Sequence, residues 1–203
     1  MHLLRFHVIA ALVTLAVLAA FACFAAHRTM PRAQVHVAIL RTSSDDTCRA
    51  VQRGIERGLA DAGYVEGENI TIDRRGADGD PARLASLAQS VVASQPDLIF
   101  AIGTEAAKAA AHQTTKTPIV GAAVSDYVAA GLVKNEAAPG TNVTGVSDRY
   151  DVSSAVTLLN GMLSTHALAV DHEKSGEAAA SIAARILAGQ SPARIPVQYA
   201  AVR

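Results

Sequence analysis

Asp97-Leu-Ile-Phe-Ala-Ile-Gly-Thr-Glu-Ala-Ala-Lys-Ala-Ala-Ala111 is an apolar run that stops at Gly103-Thr104 and passes directly into an alanine-rich segment. Leu98 to Ile102 shows no polar alternation, the pattern of a strand covered on both faces, and such strands belong to parallel sheets with helices on either side. The stretch therefore predicts a strand, a tight turn and a helix, with Gly103 letting the backbone come close and Thr104 placed as the N-cap. In open parallel sheets, ligands sit beyond the carboxyl ends of the strands, where helix N-termini offer unpaired N–H groups and partial positive charge. The turn at Gly103-Thr104 is the first candidate functional edge.

The same unit recurs on both sides of it. Val35 to Leu40 reads as the first strand, followed by the loop Arg41 to Asp46 and a helix whose apolar positions Cys48, Val51, Ile55 and Leu59 keep helical spacing up to Gly63. Gly54 and Gly58 share one face of that helix, which predicts close packing on the sheet. Asn69 to Asp73 alternates with period two and reads as an edge strand. Asp80-Pro81 opens a helix with an aspartate cap and a proline in the first turn. Further strands are predicted over Ile119 to Val124, Asn142 to Val146 and Ala167 to Val170. Helices follow at Tyr127 to Leu132 (short), at Val152 to Leu163, and around Ala179 to Leu187. Residues 35–189 form one α/β domain with a single doubly wound, mostly parallel sheet, and 190–203 form a tail with a possible short strand. Right-handed crossovers bring the loops Arg41–Asp46, Gly103–Ala106, Ser125–Tyr127 and Ser147–Tyr150 to one edge.

Of the 203 residues, 18 are Lys or Arg and 18 are Asp or Glu, and no basic cluster is present, so the chain carries no electrostatic footprint for nucleic acid. Val8 to Ala26 is a 19-residue apolar run interrupted only by Thr14. It predicts an N-terminal apolar helix over 1–26, a signal peptide or membrane anchor, with 27–34 as linker. Ala20-Phe21-Ala22 offers a cleavage site, and Cys23 is the position that lipidation would use. The two cysteines match neither a disulfide framework nor a metal motif, and Cys48 is expected to pack as a small apolar side chain.

Ala62-Gly-Tyr-Val-Glu-Gly-Glu-Asn-Ile-Thr-Ile-Asp73, Gly79-Asp-Pro81, Gln95-Pro-Asp-Leu-Ile99, Thr117-Pro-Ile-Val120, Ser125-Asp126, Ala130-Gly-Leu-Val133 and Pro139-Gly-Thr-Asn-Val-Thr-Gly-Val-Ser147 follow one another in a fixed order. In that order they resemble the tryptophan/tyrosine-type ABC transporter substrate-binding proteins. The resemblance covers Val35 to Leu163 and resumes from Ala167 to Val197. It implies the N-lobe of a type I periplasmic binding protein, flavodoxin-like in topology, and an extracytoplasmic, non-catalytic protein that binds a small solute such as an amino acid. It also implies an ABC permease as partner and no cofactor. Family members have two lobes, and the material between Met162 and His166 falls short of the pattern by about one small domain, ~100 residues. The chain thus reads as a single lobe closed up across a deletion, with a homodimer as one way to restore a closed pocket. The alternative is a degenerate lobe that docks on an envelope protein without binding solute.

Carried over position by position, the resemblance places ligand-facing turns at Thr42, Ser43 and Ser44, at Gly103 and Thr104, and at Ser125 and Asp126. Glu105 stands where relatives often have a small residue or proline, and its carboxylate would satisfy the helix N-terminus and favour an amine over an anion. Simple helix capping by Thr104, Glu105 and Ser125-Asp126 is the competing reading. Asp45-Asp46 resembles the acidic pair of phospho-receiver domains, but the third strand ends in Gly103-Thr104 without a phospho-accepting aspartate. His112, His166 and His172 fall on three elements with no short-range ligand pair. No Gly-Lys-Ser/Thr phosphate loop, Gly-x-Ser-x-Gly elbow or His-Glu-x-x-His occurs, so an enzyme on this fold ranks last.

Overall fold

Every residue of β3 (Leu98–Ile102) is buried, as its unbroken apolar run requires. The computed structural model describes residues 34–149 and 170–200. The N-terminal apolar segment with Cys23, the helix expected over Val152 to Leu163 and all of Ala167 to Val170 except Val170 lie outside them. The described strands are β1 (Val35–Arg41), β2 (Ile70–Gly76), β3, β4 (Ile119–Val124), β5 (Val143–Ser147) and β6 (Gln198–Tyr199). They form one sheet in the order β2-β1-β3-β4-β5-β6, with every pairing parallel. The tail therefore joins the sheet, Gln198–Tyr199 pairing with β5, in line with the short strand expected there.

Among the described residues four helices cover the two faces: α1 (Asp46–Asp61), α2 (Pro81–Ala93), α3 (Thr104–Gln113) and α4 (His172–Leu187). Val37 and Ile39 of β1 pack with Val51, Ile55 and Leu59 of α1 and Ile182 of α4. Their neighbours Ala38 and Leu40 pack on the other face with Leu84 and Ala88 of α2 and Ala106, Ala107 and Ala110 of α3. The chain leaves β1 for one face and β3 for the opposite one. That divergence is the topological switch point, where open α/β sheets form their crevice.

The caps follow from the residue types. Asp45 accepts the Cys48 N–H at 2.7 Å to start α1. Asp80 does the same for α2 from Ala82 and Arg83, with Pro81 at the first helical position. Asp171 caps α4 through the Lys174 N–H. Edge strand β2 is blunted by charge: Arg74 bridges Glu56 and Glu66, each at 2.7 Å.

Two expectations are corrected. Gly54 and Gly58 face α4, not the sheet: a Cβ on Gly54 would run into the Glu173 carbonyl oxygen, and one on Gly58 would lie 2.7 Å from the Ala180 Cβ. Small residues shared with α4 let the two helix backbones touch. The segment at Tyr127 is a single turn and not a short helix. Leu132 N–H returns to the Tyr127 carbonyl and Gly131 N–H to that of Val128, a Schellman-type closure that Gly131, at φ +71°, ends after one turn.

Tyr127 is fully buried, its hydroxyl donating to the Val146 carbonyl at 3.3 Å. Burial holds its phenol well above the usual tyrosine range, because a phenolate there would lose its hydration. The folded-state value lies above the unfolded one, so this group's contribution is present below about pH 10 and is lost as pH rises past it. Urea unfolding from pH 8 to 11 is expected to show a fall in stability above about pH 10 that Tyr127→Phe makes shallower.

Candidate functional site

The carboxyl ends of β1, β3, β4 and β5 place four loops side by side, and short polar links stitch each loop to the next. The backbone N–H and hydroxyl of Thr42 both donate to the Ile102 carbonyl at 3.1 Å. The Ser125 N–H points to the Thr104 hydroxyl at 3.5 Å, and the buried Ser147 hydroxyl donates to the Ser125 carbonyl at 3.2 Å. Arg149 pairs with Asp126 at 2.8 Å and closes the row.

Gly103 sets the geometry of the centre. It is the N-cap of α3 at φ +97°, and a Cβ there would lie 2.5 Å from the Thr42 hydroxyl oxygen, so both conformation and space require glycine. Thr104 is consequently the first helical residue and not the cap. No side chain caps α3, Glu105 included. The Glu105 carboxylate instead pairs with Lys108 at 3.3 Å on the side of the helix. Ala107 N–H returns to the Gly103 carbonyl, which leaves the N–H groups of Thr104, Glu105 and Ala106 directed out of the helix end.

The other sequence candidates are turned sideways. The Ser43 hydroxyl donates to Asp45 at 2.5 Å and lies 3.3 Å from the Cys48 Sγ. The Ser44 hydroxyl donates to Asp78, also at 2.5 Å. The Cys48 N–H, and after it the Ser43 hydroxyl, hold the Asp45 carboxyl below the ordinary range. For Asp78 the Ser44 hydroxyl does this first, helped by Arg83. Asp126 accepts the Ala129 N–H at 2.8 Å, so it caps its turn while pairing with Arg149. Cys48 is buried and free, packing as the small apolar side chain expected.

Residues 36–165 match the sequence pattern of the family described as ABC transporter substrate binding protein. The chain belongs to that family. A curated relative, the tyrosine-binding protein of Clostridioides difficile strain R20291, is 36% identical over 132 residues. That match covers 65% of this chain and 38% of the relative, so the chain spans under two-fifths of that protein's length. Among solved structures, a ligand-free, open substrate binding protein with adhesive properties from Clostridium difficile aligns with a TM-score of 0.75 at 23% identity. This alignment covers 83% of this chain and 91% of that one. An ABC domain in complex with L-Trp from Streptococcus pneumoniae aligns with a TM-score of 0.72 at 21% identity, over 82% and 89%. These structural likenesses establish the substrate-binding-protein fold. Among the described residues no helix is long and apolar enough to cross a membrane, and no cluster of three His, Cys, Asp or Glu is placed to hold a metal.

Two features of this family member's edge escaped the sequence reading. Ala123 sits at φ +53° in β4, where the register with β5 shifts between Gly121 and Val124. This β-bulge re-aims the end of β4 toward Ser125, and a left-handed alanine has no signature in an apolar run. Ala123→Gly is expected to raise stability by about 1 kcal/mol, read by urea unfolding, since the left-handed conformation costs a Cβ-bearing residue roughly that much. The second feature is a groove of 400 Å³ between α2 and α3. Thr42, Gly79, Asp80, Glu105, Lys108 and His112 line it together with the apolar Pro81, Leu84, Ala85 and Ala109. Asp80 was legible only as a cap and His112 only as a histidine with no ligand pair nearby, because no local pattern announces a seam between helices.

Proposed function

We propose that this chain is the extracytoplasmic solute-binding component of an ABC importer, reduced to one lobe, non-catalytic, with an amino acid as its solute. The observation that carries the reading is the bare N-terminus of α3. Its three outward N–H groups open at the switch point between the Thr42 and Ser125 loops, a cradle suited to an α-carboxylate. Tyrosine and tryptophan, named for the C. difficile relative and the S. pneumoniae structure, are the first solutes to test. The sequence-stretch Val8 to Ala26 would export or tether the lobe, and a membrane permease would receive its solute. A lone lobe leaves one side of the ligand wet, so binding is weak unless a second copy supplies the opposite wall.

The test is thermal unfolding of the chain against each amino acid at millimolar concentration, since a ligand that binds only the folded state raises the midpoint. A concentration-dependent rise with an aromatic amino acid, reduced by Thr104→Ala or Ser125→Ala, supports the reading. A cooperative transition that no amino acid moves sinks it. That outcome would favour the second reading, an envelope docking module. Its support is an open groove beyond Asp126, where Val128 and Tyr199 remain 47% and 46% exposed beside Arg149.

A further inference from the structure

We infer that the α2/α3 groove receives the solute's side chain, so that this lobe supplies its own apolar subsite and selects amino acids with elongated apolar side chains. The inference rests on the proposed amino-acid reading and adds a location and a length preference to it.

Three observations converge. The groove begins at the proposed site: Thr42 belongs to the loop beside the bare end of α3, and Glu105 to the first turn of α3 itself. Its apolar lining comes from Pro81, Leu84 and Ala85 on α2 and from Ala109 on α3, with Leu84 buried, and its 400 Å³ lies within the size range of small-ligand pockets. Its charged lining residues are Asp80, Glu105 and Lys108. Glu105 and Lys108 hold each other at 3.3 Å, and Asp80 has one oxygen committed to the Ala82 and Arg83 N–H groups. A zwitterion matches this distribution. With the carboxylate on the outward N–H groups of α3, the ammonium faces Asp80 and Glu105, and the side chain runs along α3 toward His112. At 1.5 Å per residue, Thr104 to His112 spans about 12 Å, enough for a side chain of six or more carbon atoms.

The experiment is calorimetric titration of the chain with glycine, L-alanine, L-norvaline, L-norleucine and L-phenylalanine, repeated on Ala85→Trp. Ala85 lines the groove and is exposed, so the indole fills the groove without entering the core. Ala85→Leu is a smaller intrusion, used if the tryptophan variant loses its cooperative transition. In the parent chain affinity should climb about fourfold per added methylene, the increment for removing one CH₂ from water. In the variant the climb should flatten and L-phenylalanine binding fall at least tenfold. A climb unchanged by groove filling, or no climb in the parent, overturns the subsite while leaving the amino-acid reading intact. No binding of any member of the series overturns both.

Discussion

Gly145→Ala is expected to lower stability by about 4 kcal/mol, combining an overpacking cost of about 1–3 with a backbone-strain cost of about 1–3. In a domain of this size that corresponds to a fall of about 8 to 16 °C in the thermal midpoint. Gly145 lies in β5 at φ +154°, paired with Gly121 of β4. A Cβ would press on the Gly121 carbonyl oxygen and on the Tyr127 hydroxyl. The oxygen is backbone in a central strand pair and cannot swing aside. The tyrosine is fully buried over both glycines and has no vacant direction. Tyr127→Ala in the same background should recover part of the loss by removing one obstacle, although on its own it opens a cavity. A midpoint for Gly145→Ala within 2 °C of the parent, by the same scan, would mean that β4 and β5 are not packed this closely.

The second large effect reverses the sign expected from helix propensity. Gly54 lies inside α1, where alanine is intrinsically better than glycine by about 1 kcal/mol. Packing opposes that preference, since the new Cβ would enter the Glu173 carbonyl of α4. Gly176, on α4, faces the Val51 carbonyl of α1 in the same way. Either substitution must push the helices apart, loosening Val51, Ile55, Ile182 and Ala183 together and straining the exposed Arg57 pair with Glu173. Gly54→Ala and Gly176→Ala should each destabilise by about 3 kcal/mol in urea unfolding, at the upper end of overpacking costs. A stabilisation near 1 kcal/mol would show instead that α4 does not dock on α1.

These two contacts also mark where sequence reading reached its limit. The strands were legible because burial on both faces leaves an unbroken apolar run, as in Leu98–Ile102, and a half-exposed edge leaves alternation, as in Asn69–Asp73. One helix start was fully legible because Asp80-Pro81 is a cap followed by a first-turn proline; Asp45 and Asp171, which cap α1 and α4, were recognised as caps only in the structure. What a glycine faces is a tertiary fact. Gly54 was assigned to the sheet because its partner is more than a hundred residues away in sequence. The short strand expected in the tail could not be placed for a related reason: Gln198-Tyr199 is too short to show a period, and only its pairing with β5 defines it. At the site, loop positions followed from strand ends, so Thr42, Gly103, Thr104 and Ser125 came together as expected. Side-chain direction did not follow. Ser43 and Ser44 turn to Asp45 and Asp78, and Glu105 turns to Lys108. That last turn leaves the end of α3 open to an anionic group, where the sequence reading had closed it with a carboxylate.

The most direct test is a two-dimensional ¹H–¹⁵N titration of the chain with L-tyrosine, following the amides of residues 42–44, 103–106 and 125. If an amino acid binds at the switch point, the amides of Thr104, Glu105 and Ala106 should shift most and saturably as their N–H groups take up the carboxylate, with smaller shifts along Gly79 to Ala85. Spectra unchanged at millimolar tyrosine and tryptophan, or shifts confined to residues remote from this edge, would contradict an amino-acid site at the end of α3.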